Sequence, residues 1–175
     1  MMKNMRSVVV GGLVLAMALS GCGYTRKTVL PRNIKTIYVE TVKNKLDPTT
    51  LYAYQQGLEM DITNAIIRRL QVDGTLRVVE QKQADAILKT DLIRLDQEGL
   101  RFNSLEGVAQ YRLFILVGLK LVDAKTGDLI WEEPNFSGET EYYVTQVTSI
   151  GEQQASVGAV ERLAYNIADR ITEDW

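Results

Sequence analysis

The chain has 175 residues, with 20 basic and 22 acidic side chains, one cysteine and no histidine. The missing histidine removes Ser-His-Asp and Cys-His arrangements and histidine metal sites, and with no polybasic tract nucleic acid is not an expected partner. Carboxylates, lysines, tyrosines and hydroxyls are present without a catalytic motif or a Gly-rich phosphate loop, so neither an enzyme nor a metal or cofactor site is expected.

The first residues carry Lys3 and Arg6, followed by the apolar run SVVVGGLVLAMAL. A membrane-crossing helix needs roughly 20 apolar residues, so this shorter run after a basic start reads as a signal peptide. It ends in Leu19-Ser20-Gly21-Cys22, which resembles the bacterial lipobox, in which a thiol beside a small residue is alkylated with diacylglycerol before cleavage. Residues 1–21 are expected to be the signal. The single thiol, Cys22, is expected to carry diacylglycerol and an N-acyl chain rather than a disulfide or a metal. The remaining 154 residues hold 18 basic and 22 acidic side chains, a net charge of −4. They are enough for one domain with its own core. Residues 22–33 form a tether that spans at most roughly 40 Å when extended, which keeps residues 34–175 close to the membrane. Two or more acyl chains make such an anchor stable. Gly23 in place of aspartate matches the sorting rule for the outer membrane.

IKTIYVETV, residues 34–42, alternates and is rich in β-branched residues, which predicts a strand. Asp47-Pro48 has the form of a helix start. Leu51, Tyr54, Leu58, Ile62, Ala65, Ile66 and Leu70 then follow at helical spacing, with Arg68 and Arg69 facing out and Gly74 as the stop. This predicts an amphipathic helix of about six turns. Thr75–Gln81 is a short strand, and Ala84–Phe102 alternates with a change of phase at Ile93. Tyr111, Leu113, Ile115, Val117, Leu119 and Leu121 share one face of the next strand, while Phe114 and Leu116 suggest partial cover on the other. DAKTGD, residues 123–128, is a hairpin turn with Gly127 in the left-handed region. In the return strand Pro134 marks a bulge or an edge. Ser149–Glu152 fits a capping box, and Val157, Val160, Leu163, Ala164, Ile167, Ala168 and Ile171 form an apolar stripe.

The order β-α-β-β-β-β-α predicts an α+β domain. Its expected form is a single, mostly antiparallel sheet of four to five strands with both helices packed on one face. The other face is left for solvent or a partner.

SGCGYT and LPRNIKTIYVETVKN at the start, then LEMDITNAIIRRL, ADAILKTDLIRL, YRLFILVGLKLVDAKTGDLIWEE and FSGETEYY, resemble the successive segments of the LptE family of lipopolysaccharide-assembly lipoproteins. The resemblance implies an outer-membrane lipoprotein on the periplasmic side. It would plug the lumen of an LptD-type β-barrel, help that barrel assemble and assist the insertion of lipopolysaccharide into the outer leaflet. A different outer-membrane lipoprotein on a similar fold, such as a cell-wall synthase activator or a secretion-channel subunit, is the alternative. The anionic groups of lipopolysaccharide call for lysine or arginine. The candidate contacts are Lys89 and Arg112 on the strands, Arg94 and Arg101 flanking the expected loop DQEGLRFNSLEG, and Lys125 in the other hairpin. Asp96, Glu98 and Glu106 weaken an anion site in that loop.

Overall fold

The computed structural model describes residues 34–47, 56–102, 107–143 and 149–172, with the side chains of 149–153 left aside. The signal, Leu19, Ser20, Gly21, Cys22 and the tether lie outside the described residues. The strands are β1 (Thr36–Val39), β2 (Lys43–Asn44), β3 (Arg77–Val78), β4 (Ala86–Phe102), β5 (Val108–Asp123) and β6 (Leu129–Tyr143). The helices are α1 (Leu58–Asp73), between β2 and β3, and α2 (Ser149–Thr172), after β6; Gln81–Gln83 forms a single 3-10 turn.

The α+β class is as expected, but the sheet is mixed and has six strands. Its order is β3-β1-β4-β5-β6, with β2 also paired to β4. The long pairs β4–β5 and β5–β6 are antiparallel, while β1 runs parallel to both β3 and β4, and β2 runs parallel to β4. Parallel strands need a long crossover, usually helical, and α1 supplies it between β1 and β3. Alternation in the sequence marks a strand without stating which strands flank it, so the central position of β1 was not visible there.

The connection from β3 to β4 is fastened to the start of β1. The Asp85 carboxylate accepts the backbone N–H groups of Lys35 and Thr36, each at 3.1 Å, and the Thr36 hydroxyl at 2.9 Å. The Lys35 N–H, followed by the Thr36 hydroxyl, holds the Asp85 carboxyl below the usual carboxylate range.

The phase change in β4 is a bulge: the register with β5 slips between Leu92 and Arg94, leaving Ile93 as the extra residue. Pro134 lies at a second slip, on edge strand β6. Strand β4 also continues through Asp96–Phe102, so DQEGLRF is strand rather than loop. Arg101 pairs with Gln110 instead of flanking a turn.

Helix α1 begins at Leu58, about ten residues later than expected, because Gly57 stands at φ 97°, a left-handed conformation that a helix cannot pass through. Residues 48–55 lie outside the described residues. The apolar stripe of α1 is buried from Leu58 to Leu70, as expected. That of α2 is buried from Val160 to Ile171, with Ala155 and Ala159 added, but Val157 is 56% exposed. On the helical wheel Val157 falls between the buried Ala164 and Ala168, but, closer to the start of α2, it borders an open hollow with Leu58 and Asp61 of α1.

Both helices pack on one face of the sheet in a single core that includes Ile37, Ile62, Leu88, Leu119 and Leu163. Helix α2 lies very close to β6. A Cβ on Gly138 would stand 2.4 Å from Leu163 Cβ and 2.5 Å from its backbone N and Cα. Glycine is required there by the approach of the two backbones.

Candidate functional site

The face of the sheet away from the helices is charged. Across β4, β5 and β6 it runs in rows set by the register: Arg94, Leu116 and Ser137; Asp96, Phe114 and Glu139; Glu98, Arg112 and Glu141; Arg101, Gln110 and Tyr143. Towards the other end, Lys89 lies opposite Lys120, which faces Glu132.

Four of the five cations proposed from the sequence therefore share one face: Lys89, Arg94, Arg101 and Arg112. Lys125 lies in the β5–β6 turn at the far end of the sheet, with Nζ 3.6 Å from Asp85 Oδ1. The five do not converge on one point.

Their surroundings differ. Arg112 Nη2 donates to Glu141 Oε1 at 3.1 Å, and its Nε lies 3.7 Å from Glu139 Oε2. Gln110, which is 5% exposed, donates to the other Glu141 oxygen at 2.8 Å. The bond from Glu141, with Glu139 close by, raises the already high pKa of Arg112 further. Arg94 lies over the Phe114 ring, 5.0 Å from its centroid. Among the described residues no carboxylate comes within ion-pair distance of Lys89, Arg94 or Arg101.

Sequence reasoning missed the partners. Lys45 Nζ is 2.6 Å from Asp91, Lys43 Nζ is 2.8 Å from Glu40 and Lys120 Nζ is 2.9 Å from Glu132. The Glu132 bond raises the Lys120 pKa. A signal for Lys120 was present, since it shares the phase of Arg112 along β5. The result is a face on which Arg112, Lys120, Lys45 and Lys43 are paired with carboxylates, while Lys89, Arg94 and Arg101 around Phe114 and Leu116 are not, among the described residues. Among the described residues no group of three or more histidine, cysteine, aspartate or glutamate side chains is placed to hold a metal. No helix among them is long and apolar enough to cross a membrane.

The family model for lipopolysaccharide assembly, LptE, matches residues 34–175. The chain belongs to the LptE family. The segment-by-segment resemblance seen in the sequence is thus borne out over nearly all of its non-signal part. LptE proteins are non-enzymatic components of lipopolysaccharide assembly. No curated protein matches the chain.

Solved structures share the fold at low identity. Protein XCC0632 from Xanthomonas campestris aligns with a TM-score of 0.59 at 13% identity, covering 82% of this chain and 86% of that one. The uncharacterized lipoprotein B from Nitrosomonas europaea aligns at 0.51 and 15% identity, covering 83% and 90%. The hypothetical protein CT253 from Chlamydia trachomatis aligns at 0.51 and 8% identity, covering 78% and 97%. Membership of the LptE family places the chain, at the level of the family, in lipopolysaccharide assembly.

Proposed function

We propose that this chain is a lipid-anchored outer-membrane subunit that occupies the lumen of an LptD-type β-barrel and assists the insertion of lipopolysaccharide into the outer leaflet. The observation that carries this reading is the LptE family match over residues 34–175. Cys22 holds the acyl chains, and residues 22–33 keep the domain within roughly 40 Å of the membrane.

The helix-free sheet face supports the reading on physical grounds. A plug inside a barrel meets a polar, partly hydrated wall, and a polar face that carries both ion pairs and unpaired cations suits such a wall better than an apolar one. Lys89, Arg94 and Arg101 are the cations available to phosphate or carboxylate, whereas Arg112 and Lys125 are engaged by carboxylates.

Depletion of the protein in its native cells tests the proposal. Newly made lipopolysaccharide should fail to reach the cell surface, and the amount of mature large β-barrel partner should fall with it. A Cys22→Ala variant expressed at equal level should lose outer-membrane fractionation. Normal lipopolysaccharide delivery in depleted cells would overturn the reading.

A further inference from the structure

One long edge of the sheet has no neighbouring strand. Strand β6 ends the order β3-β1-β4-β5-β6 and is 15 residues long. Such an edge presents a row of backbone N–H and C=O groups, which is a template for a further strand.

The first half of this edge is guarded. Pro134 has no N–H to offer. From α2, the Asn166 side chain donates to the Ser137 carbonyl at 3.2 Å, and Arg170 donates to Glu133 at 3.0 Å. The second half is open. The Ser137 carbonyl is taken by a group outside the sheet, so it points away from β5. In an antiparallel ladder both backbone groups of one residue point to one side, and those of the next residue to the other. The register from Phe136 to Tyr143 is unbroken. The N–H and C=O groups of Glu139, Glu141 and Tyr143 therefore point outward as well. Among the described residues no backbone group pairs with them there.

The open half is also acidic. Strand β6 holds four glutamates and no lysine or arginine. The Glu139 and Glu141 side chains stand on the open face, 59% and 46% exposed. Beside them on β5 the column reads Leu116, Phe114, Arg112 and Gln110, so Arg112 is the one cation next to the edge. It already serves Glu139 and Glu141, and Glu98 is its partner in register from the β4 side. Three carboxylates thus share one guanidinium. Arg94 and Arg101 stand two strands inward, roughly 9–10 Å from the β6 column.

We propose that β6 accepts an added antiparallel strand along Glu139–Tyr143, supplied by a partner protein whose segment carries lysine or arginine at alternate positions i and i+2. The outward backbone groups call for an extended occupant, in the manner of strand addition to a sheet edge. Residues i and i+2 of that strand share one face and come opposite Glu141 and Glu139, where unlike charges stabilise a cross-strand pair. The residue between them falls on the helix side beside Thr140, close to α2 at Gly158, and is small or β-branched. A second copy of this chain does not fit. Antiparallel self-pairing sets Glu141 against Glu141 or Glu139 of the other copy, and like charges directly opposite are destabilising. This inference goes beyond the barrel reading and does not depend on it.

The test uses the full chain, isotope-labelled in detergent micelles, and three synthetic peptides of about seven residues, a length that covers the open half. The first carries lysines at two alternate positions in a valine–threonine background. The second carries glutamates at the same positions. The third is the first with methyl groups on the backbone nitrogens that face β6. The first peptide should bind at least about tenfold more tightly than the second. It should also slow hydrogen exchange at the amides of Glu139, Glu141 and Tyr143 by at least about tenfold, leaving those of Glu132 and Glu133 unchanged. The third peptide should lose binding, which separates strand addition from simple charge attraction. In the double variant Glu139→Lys, Glu141→Lys the preference should pass to the glutamate peptide. Equal affinities for the first two peptides, undiminished binding of the third, protection elsewhere or no binding would overturn the inference. So would amides of Glu139, Glu141 and Tyr143 already protected without peptide, as in a self-paired chain.

Discussion

The two faces of the sheet are built from alternate residues of the same long strands, yet they are chemically opposite. The helix side holds Leu88, Leu113, Ile115, Leu119 and Leu121, each fully buried. The open side holds ion pairs such as Lys120 with Glu132 and Arg112 with Glu141. Burial of apolar area, at roughly 25 cal/mol per Å², gives the first face most of the folding energy. Exposed ion pairs contribute little to stability, so the second face can vary with what it must touch. The comparison teaches that in this chain the apolar residues that stabilise the fold and the charged residues left open are divided between the two sides of one sheet.

The sharpest way to break that comparison is to damage the helix side. Leu163→Ala removes a fully buried side chain from the α2–β6 contact and should cost about 2–5 kcal/mol in urea unfolding. Gly138→Ala should cost about 1–3 kcal/mol, because the added methyl meets the α2 backbone rather than the end of a flexible side chain. Wild-type stability in Gly138→Ala would mean that the helix does not sit so close.

A third prediction concerns the Asp85 fastening. Asp85→Ala should destabilise the domain by about 1–2 kcal/mol at neutral pH, through loss of hydrogen bonds to a charged acceptor that is partly exposed. The folded-state pKa of Asp85 is lowered. Its contribution is therefore complete above the unfolded carboxylate value, about 3.9, and is lost as pH falls through the lower folded value. Asp85→Asn should flatten the acid limb of the stability profile below about pH 4. An unchanged acid limb would place the pH dependence elsewhere. The smallest effect belongs to the open face. Lys120→Ala and Glu132→Ala should leave the melting temperature within experimental scatter, while affecting any contact made by that face. A large drop in melting temperature would show that the faces are not so divided.

Much of this was legible in the sequence because each strand and helix has a clear period. The α1 stripe from Leu58 to Leu70, the turn at Gly127 (φ 77°) and the bulge at Ile93 each left a mark. The bulge also governs the site: Lys89 and Arg94 differ in parity along β4, and only the extra residue brings them to one face. Features that depend on how strands meet were hidden. Two register slips between β5 and β6, at Leu121/Val122 and Val117/Leu119, set Arg112 opposite Glu141. A hairpin continued without them would have set it opposite Glu139. The parallel placement of β1 likewise arises from neighbours distant in the chain. Gly57 shows a local mark that was overridden, since the apolar spacing of Leu51, Tyr54 and Leu58 suggested a helix running straight through it.

The most direct test of the central claim is extraction of outer membranes in mild detergent with the chain tagged at its C-terminus, followed by identification and stoichiometry of what co-purifies. The account predicts a large β-barrel protein in near-equimolar amount, retained together with lipopolysaccharide. A solitary monomer, a homo-oligomeric ring or a cell-wall enzyme in place of the barrel would contradict it.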